Sequence, residues 1–160
     1  MNPHTLTRLV QGPQGALEVA IDEPLQARAG AGVALIAHPH PLFGGTLHNK
    51  VVQTLARAHV QQGWRVLRFN FRGVGASAGV HDHGVGETDD LLALLRLEAA
   101  HGPLALAGFS FGAYVVLRAL QQLAPQRSLH SVLLVGAAAS RFELPALPAE
   151  LHERTALIHG

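Results

Sequence analysis

Five short apolar runs recur along the chain: Val33 to Ala37, Val66 to Phe69, Leu104 to Ala107, Val132 to Val135 and Ala156 to Ile158. None alternates with polar residues, the pattern of strands covered on both faces in a parallel sheet. Helical spacing fills the gaps. Val52, Leu55, Ala56 and His59 predict one helix, stopped by Gly63. Leu91, Leu92, Leu95 and Ala99 predict a second, opened by the acidic turn Glu87, Asp89, Asp90 that suits the positive end of a helix dipole. A third is expected from Phe111 to Leu123, ended by Pro125, which cannot continue a helix. Upstream, Thr5 to Gln11 and Ala16 to Ile21 flank Gly12-Pro13-Gln14-Gly15, a turn that predicts a hairpin at the start of the sheet.

Composition narrows the class. The 160 residues are 48% hydrophobic and 14% charged, which excludes intrinsic disorder, and the length fits one domain on the usual prior of roughly 150 residues. The formal charge is +1, and eleven of the twelve basic residues are arginines scattered without a run. That is no footprint for nucleic acid or an anionic membrane. No apolar run reaches the roughly 18 residues of a membrane helix. The first thirty residues contain no basic-then-apolar leader, so a cytoplasmic location is expected. The absence of cysteine excludes disulfides, thiolate metal sites and cysteine nucleophiles together.

The most informative segment is Gly108-Phe109-Ser110-Phe111-Gly112, which follows an apolar strand directly and precedes a helical pattern. In that context G-x-S-x-G is a nucleophile elbow: the serine sits on a strained turn, the glycines allow close backbone approach, and the helix aims its N-terminus at a developing oxyanion. Five serines and 17 glycines in 160 residues give only about 0.06 accidental matches to this pattern.

Four segments in order carry a resemblance to the α/β-hydrolase superfamily, and within it to small bacterial serine hydrolases of the dienelactone-hydrolase-like type. They are His38-Pro39-His40-Pro41-Leu42-Phe43-Gly44-Gly45-Thr46, Asn70-Phe71-Arg72-Gly73-Val74-Gly75-Ala76-Ser77, Gly86-Glu87 with Asp89-Asp90, and the elbow around Ser110. The resemblance implies a mostly parallel sheet of about seven strands with helices on both faces. It implies Ser110 as catalytic nucleophile and the Phe111 amide as one oxyanion donor. The second donor is expected from the loop after the third strand, where Pro39 and Pro41 lack N–H groups; Leu42 is the first choice and His40 the second. Arg72 is expected to brace neighbouring loops.

The histidine pairs His38-x-His40 and His81-Asp82-His83 invite a metal reading, but neither completes a ligand run of the H-x-H-x-D-H kind, and no metal or other cofactor is expected. In the resembled superfamily the acid follows the seventh strand and the histidine the eighth. Here Thr155 to Gly160 resembles the seventh strand and its first turn residue, so the fold is expected to lack the last strand and helix, as a C-terminally incomplete single domain over residues 1–160. His40 or His38, with Glu143 after the sixth strand, are the conceivable internal substitutes. The short connection from Val135 to Thr155 leaves no space for a cap. The expected function is hydrolysis of carboxylic ester or thioester bonds in a small acyl substrate, with an inactive hydrolase-fold fragment or interaction module as the alternative. Self-association through an exposed sheet edge at Thr155 to His159 is a further expectation.

Overall fold

The computed structural model describes residues 4–159. Seven strands form one sheet: β1 (Thr5–Gly12), β2 (Gly15–Asp22), β3 (Val33–Ala37), β4 (Arg65–Phe69), β5 (Leu104–Phe109), β6 (Ser131–Val135) and β7 (Thr155–Ile158). Their order across the sheet is β1-β2-β4-β3-β5-β6-β7. The hairpin predicted around residues 12–15 is present, with β1 antiparallel to β2 and β2 antiparallel to β4. From β4 to β7 every pairing is parallel, so each of those connections crosses over outside the sheet.

Helix α1 (Lys50–Gln61) joins β3 to β4, α2 (Val85–Glu98) joins β4 to β5, and α3 (Phe111–Leu123) joins β5 to β6. The period-2 alternation of the strands sorts their side chains into two cores. Ala34 and Ile36 of β3 and Ala105 and Ala107 of β5 pack with Val52, Leu55 and Ala56 of α1. Leu35, Ala37, Leu104 and Leu106, from the same strands, pack with Leu91, Leu94 and Leu95 of α2 and Val115, Val116 and Leu120 of α3. Each of the large aliphatic side chains is worth about 1.5–3 kcal/mol when taken fully out of water.

Helix α3 has the bounds that its pattern predicts, and α2 starts at Val85 with Glu87 of the expected acidic turn in its first turn. The Glu87 carboxylate turns back and accepts from the Asp82 and Gly84 amides at 2.9 and 2.8 Å. Helix α1 begins after Asn49, whose side-chain oxygen accepts from Val51 N at 2.9 Å and satisfies an otherwise unpaired donor of the first turn.

The chain leaves β3 toward β4 and later returns to place β5 on the other side of β3. Such a reversal opens a crevice at the carboxyl ends of the strands, the place where sheets of this kind bind ligands. The loops after β3, β5 and β6 all reach it.

Candidate active site

Ser110 is the single residue between the end of β5 and the start of α3. Its φ of 55° and ψ of −115° lie where side chains are rarely tolerated, a conformation costing about 1–3 kcal/mol. The surroundings enforce it. Ser110 N donates to Val135 O of β6 at 2.8 Å, and Ser110 O accepts from Ala113 N at 3.0 Å. A Cβ on Gly108 would stand 2.4 Å from Gly112 O, and one on Gly112 would stand 2.3 Å from Ala37 O of β3. Both glycines are therefore required for α3 to sit against β3 and β5. Phe111 is the first residue of α3, so its amide belongs to the partly positive N-terminal turn of that helix.

The opposite wall of the crevice is the loop of residues 38–46. His38 is fully buried beneath it. Its Nδ1 lies 2.7 Å from Pro39 O, and its Nε2 lies 3.0 Å from the Phe71 amide. A neutral ring donating from Nδ1 and accepting at Nε2 satisfies both contacts. Burial pushes its pKa down to about 4, the Pro39 carbonyl opposing the shift. Both ring nitrogens are thus committed to backbone, which removes His38 as a substitute base or metal ligand and makes it a clamp between two loops.

Beyond it, Pro41–Phe43 form one 3-10 turn. The Leu42 amide, the first choice for the second oxyanion donor, donates to His40 Nδ1 at 3.2 Å. The His40 ring lies 4.8 Å from those of Phe43 and Phe111 and 5.0 Å from that of His81. Its pKa is lowered, mainly by desolvation and then by the nearby His81 and Arg141.

Under both loops runs a buried polar frame. Arg72 donates twice to Asp90, at 2.8 and 2.7 Å, bracing the loop after β4 against α2 in the way the sequence suggests. This pair holds the guanidinium pKa above its usual value. Asn70 accepts from the Leu47 amide and donates to Glu18, and Ser77 donates to Asn70 O. His81 Nδ1 comes within 2.8 Å of buried Glu87 Oε1, at ion-pair distance but without hydrogen-bond alignment. His83 stacks edge-on to His81, centroids 4.9 Å apart. Among the described residues no group of three or more His, Asp or Glu side chains is placed to hold a metal ion.

Ser110 opens into a cleft of about 440 Å³ lined by Pro39, His40, Phe43, Arg141 and Phe142. Arg141 and Phe142 come from the connection after β6 and are not anticipated by any sequence motif. The signal available was topological, since a loop leaving the carboxyl end of a strand beside the elbow has to border the same crevice. Phe142 stacks on Tyr114 at 4.8 Å and packs on Phe111 at 5.5 Å. Arg141 lies over the Phe43 ring, 5.7 Å from its centroid. Glu143 is exposed and has no ion pair among the described residues. A separate apolar groove of about 320 Å³, lined by residues that include Asp22, Ala56, Val60 and Arg68, shares no residue with the Ser110 cleft.

A mostly parallel sheet with helices packed on both faces and a serine on a strained strand-to-helix turn define the serine-hydrolase type of the α/β-hydrolase fold. The chain belongs to the family described as serine aminopeptidase, S33, whose model matches residues 36–156. It is similar to a crystal structure from Xanthomonas campestris described as an α/β serine hydrolase without a lid, at 33% identity and a TM-score of 0.84, over 99% of this chain and 84% of that one. An α/β serine hydrolase homologue from Coxiella burnetii is 34% identical with a TM-score of 0.78, over 100% of this chain and 88% of that one. An uncharacterized protein of Rickettsia prowazekii (strain Madrid E) is 41% identical over 111 residues, 67% of this chain and 46% of its own length. The chain thus spans about half the length of that curated relative. Among the described residues no helix is long and apolar enough to cross a membrane.

Proposed function

We propose that the protein is a serine hydrolase that cleaves carboxylic ester or thioester bonds of small acyl substrates through an acyl-enzyme at Ser110. The observation that carries this reading is the forced backbone of Ser110, which presents its hydroxyl to an open cleft at the N-terminus of α3. Attack of Oγ on the carbonyl carbon places negative charge on the carbonyl oxygen, and the Phe111 amide is the donor adjacent to it. The second donor is the His40 amide, because the Leu42 amide is spent on His40 Nδ1 and Pro39 and Pro41 have none to give. Collapse of the tetrahedral intermediate expels the alcohol or thiol, and water then hydrolyses the acyl-enzyme. Esters and thioesters fit better than amides because their leaving groups demand less of a general acid. An uncapped site also agrees with the lidless description of the Xanthomonas structure.

The hydroxyl proton needs an acceptor. With Nδ1 accepting the Leu42 amide, neutral His40 carries its proton on Nε2 and is set to donate. The superfamily resemblance assigns the acceptor role to a histidine after the eighth strand, held by an acid after the seventh. The second reading, a hydrolase-fold interaction module without turnover, is supported by the orientation of His40, the imidazole in the cleft wall, as a donor rather than an acceptor.

A fluorophosphonate probe and 4-nitrophenyl butyrate separate the two. Labelling at Ser110 with turnover, both lost in Ser110→Ala, supports the hydrolase; turnover retained in that variant removes Ser110 from the mechanism. Neither labelling nor turnover in the native chain supports the module.

A further inference from the structure

Arg141 lines the Ser110 cleft but takes part in none of the ion pairs formed among the described residues. Its guanidinium carbon lies 5.7 Å from the centroid of the Phe43 ring, within the range of a cation–π contact, and Arg141 is exposed, so its N–H groups are open to a ligand entering the cleft. Each acidic group of this region is engaged elsewhere or lies apart from the cation. Glu87 is fully buried, with its oxygens taken by the Asp82 and Gly84 amides and by the approach of His81. Asp82 accepts from the Gly86 amide. Glu143 is exposed, two residues further along the chain. The remaining titratable groups around the cleft are imidazoles: His40 in its wall, His81 5.0 Å from His40, and His83 behind His81. Of the side chains that line the cleft, Arg141 alone carries a permanent charge, and none of them is a carboxylate.

Resting on the serine-hydrolase reading above, we infer that the cleft selects acyl esters or thioesters bearing a second, anionic group, a carboxylate or a phosphate, and that Arg141 is the residue that receives it. The planar donor fork matches both anions, while Phe43 and Phe142 cover the aliphatic segment between the anion and the scissile carbonyl. The same cation opposes substrates that bring an α-ammonium close to the scissile bond, as a peptide with a free N-terminus does, by like-charge repulsion.

The inference is tested on the full chain with 4-nitrophenyl hydrogen glutarate, the uncharged 4-nitrophenyl pentanoate, and a 4-nitrophenyl ester carrying a phosphonate at the glutarate carboxylate position. A preference for the anionic esters of about fivefold in kcat/KM, held mainly in KM, is expected for a partly solvated charge pair. It shrinks at raised salt, falls to about one in Arg141→Gln, and is partly kept in Arg141→Lys. Whichever of carboxylate and phosphonate is the better substrate identifies the natural anion. Equal preference in native and Arg141→Gln proteins overturns the assignment. A parallel NMR titration in the Ser110→Ala background, with methyl hydrogen glutarate against methyl pentanoate, needs no turnover. Anion preference there in a chain that hydrolyses nothing would sink the hydrolase reading and keep the subsite. Turnover of all three esters without preference would do the reverse.

Discussion

The two walls of the Ser110 cleft are built on different principles. On the side of β3 and β5, backbone meets backbone: Gly108 and Gly112 admit α3 to within contact of the Ala37 carbonyl, and His38 ties the loop after β3 to the loop after β4 from a fully buried position. On the side of residues 136–148, the wall is exposed or half-buried side chains. Phe142 lies on Tyr114 and Phe111, and Arg141 on Phe43. A backbone contact tolerates almost no change, whereas a ring stack can be exchanged for another at small cost. On the proposed function, the rigid wall suits the chemistry of the acyl group, which demands fixed donors, and the stacked wall suits substrate choice, which can be retuned without disturbing the fold.

The contrast is broken most severely at Gly112. Replacement by alanine drives a Cβ against the Ala37 carbonyl, so α3 has to move off β3. A destabilisation of about 3 kcal/mol is expected, along with at least about 10²-fold loss of turnover from a misplaced nucleophile. Urea unfolding and ester kinetics measure the two effects. Native-like values in Gly112→Ala would show that the rigid wall is not rigid.

Next comes pH. His38 ionises at about 4 in the folded chain against an ordinary value of about 6.5 when unfolded. Between those values the unfolded state binds a proton that the native state refuses. The stability contributed by neutral His38 is thus complete above about pH 6.5 and is lost as pH falls toward 4, by about 3 kcal/mol in all. Urea midpoints across this range should fall with acid in the native chain. In His38→Gln, which can still accept from the Phe71 amide, that part of the slope should disappear. An unchanged slope would mean that another group carries it.

A smaller effect sharpens the reading of Ser110 itself. Glycine enters positive φ without the penalty that a side chain incurs. Ser110→Gly should therefore be more stable than Ser110→Ala by about 1 kcal/mol, though both lose the nucleophile. Equal melting temperatures for the two variants would argue against stored strain at the elbow. Smallest is Phe142→Leu on the stacked wall, for which about 1 kcal/mol or less of stability is expected, with the change in ester kinetics confined to KM. A loss in kcat comparable to that of Gly112→Ala would erase the distinction between the walls.

The strands were legible because each is a short apolar run bounded by turn residues, and α3 because its pattern stops just short of a proline. The elbow was legible because G-x-S-x-G is a local device: every residue it needs lies within five positions. The acidic turn marked the start of α2 as well, but nothing in it says that Glu87 will fold back on the amides of residues 82 and 84. The role of His38 was equally hidden. Its partners are the adjacent Pro39 carbonyl and an amide 33 residues away, so the side chain reads as a possible ligand or base until the loop after β4 is in place. Leu42 and His40 lie two positions apart in a loop where proline spacing alone could not choose between them, and the hydrogen bond from the Leu42 amide to the His40 ring was not readable from that spacing either. Arg141 and Phe142 belong to no motif and enter the cleft only through the parallel placement of β6 beside β5.

The hydrogen bond from Ser110 N to Val135 O also sets an order of events during folding. β5 joins β3 across an intervening helix, strand and second helix, so that Val33 pairs with Leu104, and the elbow turn is then pinned by a strand that lies later still in the chain. Pairings of such long sequence separation form slowly, after local helices have appeared. A nascent chain ending before residue 135 can hold α1, α2 and most of the sheet while its serine remains free to relax to ordinary backbone angles. In a refolding experiment, reactivity toward a serine-directed probe should accordingly lag the recovery of helical circular dichroism. The strained serine turn is then one of the last features of the crevice to mature, so the proposed nucleophile is presented only once β6 is in place.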